Sequence, residues 1–116
     1  MATKLTVNRG TTYAITVNYT ENGVATSIVG ATIYFTVKSV LSDTDAADAT
    51  AVISKNVTSF SNGAGGIAVI TLTNTDTYQL PATYFYDIKI KKADGTIYLL
   101  QEGSFIIQGS PTNRTT

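Results

Sequence analysis

Apolar residues along this chain recur at every second position far more often than at helical spacing, and turn residues interrupt them roughly every eight to fifteen residues. The clearest run is Ala31-Thr32-Ile33-Tyr34-Phe35-Thr36-Val37-Lys38, in which Ala31, Ile33, Phe35 and Val37 alternate with polar or amphipathic neighbours. This is the pattern of a strand with one face in a core. Tyr84, Tyr86, Ile88 and Ile90 alternate in the same way with Phe85, Asp87, Lys89 and Lys91, and Ile15 and Val17 do so with Thr16 and Asn18. Further strands are expected at Leu5 to Asn8, Tyr13 to Tyr19, Val52 to Phe60, Ile67 to Thr73 and Ile97 to Gln108, with a brief extended segment near Val24 to Val29.

The punctuation agrees with this period. Asn22-Gly23 and Asp94-Gly95 are pairs that accept the positive φ of tight hairpins. Ser61-Asn62-Gly63-Ala64-Gly65-Gly66 reads as a flexible glycine turn, and Asn74-Thr75-Asp76-Thr77 as a turn or single helical turn held by side-chain to backbone bonds. Gly103 is expected to mark a bulge or kink where the last strand changes pairing partner. Ser42 to Thr50 is a loop or short helical turn. About seven strands in a chain of 116 residues is the count of a seven-stranded antiparallel sandwich. Residues 1–109 are expected to form that one domain, followed by a polar C-terminal tail over residues 110–116. The predicted core comprises Ile15, Val17, Ile33, Phe35, Val37, Ile70, Leu72, Tyr84, Tyr86, Ile88 and Phe105. Tyr84, following Leu80-Pro81, is either an ordinary core tyrosine or one whose hydroxyl bonds back to the backbone a few residues upstream, as many such sandwiches have.

Composition narrows the chemistry. Hydrophobic residues are 43% and charged residues 14% of the chain, with eight basic against eight acidic side chains. The core is therefore affordable while the surface is unusually uncharged, and with no cationic patch beyond Lys89, Lys91 and Lys92, nucleic acid is not an expected partner. No cysteine and no histidine is present, which removes thiol nucleophiles, disulfides, imidazole bases and the common zinc ligands. Catalysis is not expected, and neither is a cofactor or metal. Met1-Ala2-Thr3-Lys4 leads straight into strand-like sequence without an apolar signal core, and no stretch of about 18 apolar residues occurs. Neither membrane insertion nor export by the chain's own signal peptide is expected.

Individual motifs are weak. Asp43, Asp45 and Asp48 cluster, but an EF-hand counted from Asp43 would place Asp48 where glycine is needed and Ser54 where a carboxylate is needed. A solvated loop is the better reading. Asn18-Tyr19-Thr20, Asn56-Val57-Thr58 and Asn113-Arg114-Thr115 match the glycosylation acceptor pattern by the chance expected of a threonine-rich chain. Strict alternation places Tyr34, Phe85, Tyr98 and Leu100 outward, where exposed apolar groups with few charges around them suit a protein interface. An off-by-one face assignment, or cover within the domain, is the competing explanation. Tyr13, Tyr19 and Tyr78 are the candidates for a sugar-stacking surface.

Taken together, Arg9-Gly10-Thr11 after a short first strand, Gly30 through Lys38, Leu72-Thr73-Asn74-Thr75-Asp76-Thr77, Leu80-Pro81 followed by Tyr84-Phe85-Tyr86-Asp87-Ile88, and Gly103-Ser104-Phe105 resemble an immunoglobulin-like module of tailed-phage virion proteins. That module is best known as the N-terminal domain of siphophage baseplate upper proteins. The resemblance spans Leu5 to Gln108, with Thr11 where the family often has Asp and Ala82 where it often has Gly. It implies an immunoglobulin-like antiparallel β-sandwich and a non-enzymatic structural role in the virion, as a baseplate, tail or fibre adaptor. The partners it implies are other virion proteins in a homo-oligomeric or multi-copy assembly. Because family members continue into a coiled coil or receptor-binding region whereas this sequence ends at Thr116, a capsid decoration or head-fibre protein is the alternative. A host-surface carbohydrate-binding module, with a glycan as ligand, is the alternative from another class.

Overall fold

The computed structural model describes residues 3–39, 50–60, 62–109 and 111. The chain forms β1 (Leu5–Asn8), β2 (Tyr13–Asn18), β3 (Thr20–Glu21), β4 (Val24–Ala25), β5 (Thr32–Lys38), β6 (Ile53–Val57), a 3-10 turn (Gly63–Gly65), β7 (Ile67–Leu72), β8 (Ala82–Lys91) and β9 (Ile97–Gln108). The fold is all-β. A five-stranded sheet has the order β1-β9-β8-β5-β6, a two-stranded sheet pairs β2 with β7, and a small hairpin pairs β3 with β4. All pairings are antiparallel except that of β1 with β9, which is parallel. The arrangement is compatible with a sandwich.

Side-chain parity explains how the two main sheets close on each other. In the large sheet Ile33, Phe35 and Val37 stand opposite Ile90, Ile88 and Tyr86, while Tyr84 stands opposite Phe105. In the small sheet Ile15 faces Ile70 and Val17 faces Ala68. These residues belong to one buried cluster that also takes in Val7, Tyr19, Ile28, Ala31, Ile53, Leu72 and Ile107. Every residue of the predicted core is buried. At its centre Phe35 lies 5.8 Å from the ring of Tyr86 and 5.9 Å from that of Phe105, tilted and edge-on respectively. Full burial of one such side chain is worth about 1.5–3 kcal/mol, so the strands are held more by this shared face than by their own propensities.

Most of the expected turns form. Asn22 and Gly23 both take positive φ, 53° and 80°, which is the backbone of the tight hairpin turn that joins β3 to β4. Thr73 and Asp76 exchange bonds, the Thr73 N–H donating to the Asp76 carboxylate at 2.8 Å and the Asp76 N–H to the Thr73 hydroxyl at 3.2 Å. Thr77, fully buried, donates its hydroxyl to the Thr11 carbonyl at 2.6 Å and ties this turn to the loop between β1 and β2. Tyr84 resolves its two readings: it is a core residue whose hydroxyl also donates to the Leu80 carbonyl at 2.6 Å.

Three expectations change. The glycine segment read as a flexible turn contains an ordered 3-10 turn, because the Asn62 side chain accepts from the Gly65 N–H at 3.2 Å and caps it. Extended structure in the Val24 to Val29 segment stops at Ala25, and Ile28 tucks into the core instead, its N–H bonded to the Gly63 carbonyl at 2.8 Å. The irregularity of β9 lies at Leu100, opposite the step from Ile88 to Lys89, and not at Gly103. Gly103 serves close approach: a Cβ there would stand 2.2 Å from the Thr3 carbonyl oxygen, where the start of β1 crosses β9. The expected loop over Ser42 to Thr50 and the tail from Ser110 lie, except for Thr50 and Pro111, outside the described residues.

Candidate interaction surface

The bulge at Leu100 decides where the four candidate interface residues sit. Tyr34 pairs with Lys89 and Phe85 with Ser104 and Lys38, all on the outer face of the large sheet, and both aromatics are half-buried. They do not touch as a patch, since the Thr36–Asp87 pair stands between them. Tyr98 and Leu100 correct the alternation argument. The extra residue shifts parity, so that Gln101 stands opposite inward Ile88, Leu99 opposite outward Lys89, Tyr98 opposite inward Ile90 and Ile97 opposite outward Lys91. Leu100 is packed against the core, and Tyr98, on the inner side opposite Ile90, remains 47% exposed. A one-residue slip moves every side chain to the other face, and counting by twos from Phe105 cannot detect it.

The residues that the slip brings outward are Ile97 and Leu99. With Tyr98 they form three consecutive exposed apolar side chains, 57%, 47% and 49% exposed. They occupy the end of the hairpin made by β8 and β9. A second exposed apolar group lies at the opposite end of the sheets, where the Arg9 guanidinium sits 4.2 Å from the Tyr78 ring beside exposed Leu80. The Arg9 Nε is buried without a hydrogen-bond partner.

Next to the hairpin lies an ionic cluster. The Glu21 carboxylate accepts from the Tyr19 hydroxyl and from the Lys92 ammonium, each at 2.7 Å. Lys92 and then Tyr19 hold the Glu21 carboxyl below its ordinary range, and the bond to Glu21 raises both Lys92 and Tyr19. Both donors converge on one oxygen, so the cluster acts as a pin between the β3–β4 hairpin and the end of β8. Lys92 also lines an open depression of about 210 Å³ with Ser27, Ile28, Val29, Ala31, Ala93 and Asp94. Its walls combine apolar residues with Ser27, Asp94 and an ammonium already bonded to Glu21. Nothing in the sequence marks the Glu21–Lys92 contact, because the partners are 71 residues apart and meet only through tertiary packing.

The sugar-stacking candidates do not assemble. Tyr13 and Tyr19 flank opposite ends of β2, Tyr19 is buried with its hydroxyl bonded to Glu21, and Tyr78 lies against Arg9 in the turn beyond β7. Asp43, Asp45 and Asp48 lie outside the described residues. Among the described residues no three His, Cys, Asp or Glu side chains come together as metal ligands. Asn18 and Asn56 of the acceptor motifs are exposed strand residues, and Asn113 is outside the described part. No protein-family model matches the chain, and no curated protein matches it.

Proposed function

We propose that this chain is a non-enzymatic structural protein of a tailed-phage virion, an immunoglobulin-like adaptor module that docks on neighbouring subunits of a baseplate, tail or fibre. The observation that carries the reading is the strand order. β9, β8, β5 and β6 follow one another as strands G, F, C and C′ do in an immunoglobulin-like sandwich, and β2 with β7 supplies the B–E pair. The Tyr84–Leu80 bond near the start of β8 gives independent support, since this is the corner such sandwiches carry on strand F. Function then follows from surface rather than from a pocket. Exposed Val24, Val29, Leu80, Ile97, Tyr98 and Leu99 offer apolar area at both ends of the sheets, and a formal net charge of zero lets many copies pack without mutual repulsion.

Immunogold labelling of purified phage particles tests the proposal. Label at the tail end supports the baseplate or fibre adaptor. Label over the capsid replaces it with a head decoration or head-fibre role, and particles without label overturn the virion reading.

A further inference from the structure

The chain contains two Asn-Gly steps, Asn22-Gly23 and Asn62-Gly63, and asparagine is a thermolabile side chain. Glycine in second place has no side chain to screen its backbone nitrogen, which is then open to attack the amide carbon of the preceding asparagine. The fold treats the two steps differently. Asn62 caps the 3-10 turn: its side-chain oxygen accepts from the Gly65 N–H at 3.2 Å, and a Cβ on Gly65 would stand 2.6 Å from its Nδ2. Gly63 is held as well, its carbonyl accepting from the N–H of Ile28 at 2.8 Å and of Gly66 at 3.0 Å. Swinging the Asn62 side chain onto the Gly63 nitrogen would break the cap. Asn22 has no such restraint. It is exposed in the two-residue turn between β3 and β4, and among the described residues neither its side chain nor the Gly23 N–H has a hydrogen-bond partner. A Cβ on Gly23 would meet nothing within 4 Å. The strands on either side are two residues long, and a hairpin this short opens easily.

We propose that Asn22 is a site of spontaneous deamidation in the folded chain, that Asn62 is protected from the same reaction by its cap, and that modification of Asn22 loosens the β3–β4 hairpin. The Gly23 nitrogen, after giving its proton to hydroxide, bonds to Cγ of Asn22 and closes a five-membered imide. The Cγ–Nδ2 bond breaks, and Nδ2 takes a proton from water, restoring the hydroxide, and leaves as ammonia. Water then adds to either imide carbonyl and opens the ring to aspartate or to isoaspartate, in which the main chain runs through the side-chain carbon. One water is consumed and one ammonia released, with no change in oxidation state. Either product sets a new carboxylate next to Glu21, whose own carboxylate holds Tyr19 and Lys92 at 2.7 Å. Isoaspartate also adds one carbon to a turn whose length sets the register of Thr20 with Ala25 and of Glu21 with Val24. The hairpin therefore loosens as the protein ages, while β2 and β7, paired over six residues each, stay in place. The reaction needs only water, so the inference does not rest on the virion reading.

Incubation of the full chain at mildly alkaline pH, folded and in guanidinium chloride, followed by ion exchange and peptide mapping, tests it. The expected result in the folded chain is an acidic species whose change maps to Asn22, formed at least tenfold faster than modification at Asn62, with isoaspartate and aspartate both among the products. In denaturant the two steps should react at similar rates, since the cap that distinguishes them is gone. Asn22→Gly, which keeps a residue that accepts positive φ, should abolish the acidic species and leave the circular dichroism of the fold unchanged. Amide exchange at Glu21 and Val24 should accelerate in the modified fraction. A folded-state preference for Asn22 of less than tenfold overturns the proposal, and so does a preference that persists undiminished in denaturant. An acidic species that survives in Asn22→Gly places the reaction elsewhere and overturns it too. Aspartate as the sole product overturns the imide step, and exchange equal to that of the fresh chain overturns the loosening.

Discussion

The hydroxyl of Tyr84 donates to the carbonyl of Leu80 at 2.6 Å, across the corner where the chain leaves the turn beyond β7 and enters β8. The ring is buried in the core while its oxygen reaches the rim, so one side chain fixes both the packing of β8 and the angle at which the chain arrives. Tyr84→Phe keeps the ring and removes the bond. It is expected to destabilise the fold by about 1 kcal/mol, the usual net worth of a neutral hydrogen bond. Urea unfolding monitored by circular dichroism should show a lower midpoint at unchanged slope. An unchanged midpoint would mean that packing alone sets the corner.

Gly103 is required by its neighbour as well as by its own backbone, which takes a positive φ of 157°. A Cβ at this position would stand 2.2 Å from the carbonyl oxygen of Thr3 and 2.8 Å from its nitrogen and carbon. These are backbone atoms that cannot rotate aside. Gly103→Ala should therefore push the start of β1 off the sheet, breaking the Thr3 to Glu102 bond and the bond from the Tyr86 hydroxyl to the Thr3 carbonyl. The expected cost is about 2 kcal/mol or more, in the range of overpacked sites. Amide exchange should accelerate across β1 while β5 stays protected. A variant within ~0.5 kcal/mol of wild type, with β1 amides intact, would show that this crossing is compliant.

The strands were legible where alternation is strong and uninterrupted. Ile33, Phe35 and Val37 announce an inward face by themselves, and Asn22-Gly23 announces its turn, because period and turn chemistry are local properties. Parity across β9 was not legible. The extra residue at Leu100 exchanges the faces of Tyr98 and Leu99, and the turn signals that betray most irregularities are absent from Tyr98-Leu99-Leu100-Gln101. Of the two interface candidates beyond the bulge, Leu100 packs against the core, while Tyr98 stays exposed although the slip turns it to the other face. The contacts that join distant segments, Glu21 with Lys92 and Thr77 with Thr11, were hidden for a different reason. They depend on which loops the sheet order brings together, and a single sequence carries no separate mark for that.

Phe35 tests the core directly. It is fully buried between Tyr86 and Phe105, both within 6 Å of its ring centre. Phe35→Ala leaves a cavity that flanking strands fixed by the β6 and β8 pairings cannot close. The expected loss is about 3–5 kcal/mol, a large part of the 5–15 kcal/mol typical of a whole domain. Thermal unfolding should shift down by more than ~10 °C. A loss below ~1 kcal/mol would mean that the neighbouring aromatic rings collapse into the vacated space.

Asp76 makes the fold sensitive to acid. Burial pushes its carboxyl up, but the Lys55 ammonium at 2.7 Å and the N–H and hydroxyl of Thr73 outweigh this and hold it below its ordinary 3.8. The folded state therefore binds this proton more weakly than the unfolded chain does. The stabilisation is fully present above the unfolded value and is lost as the pH falls from about 4 through the lower folded value. Asp76→Asn should cost about 1 kcal/mol at pH 7, the upper end for a partly exposed pair. The gap between variant and wild type should then narrow as both are acidified below pH ~4, because the wild-type carboxyl becomes neutral as well. Urea midpoints measured from pH 2 to 7 separate the two roles of this side chain. A gap that stays constant with pH would mean that Asp76 holds the turn through its shape and its bonds to Thr73, with no contribution from its charge opposite Lys55.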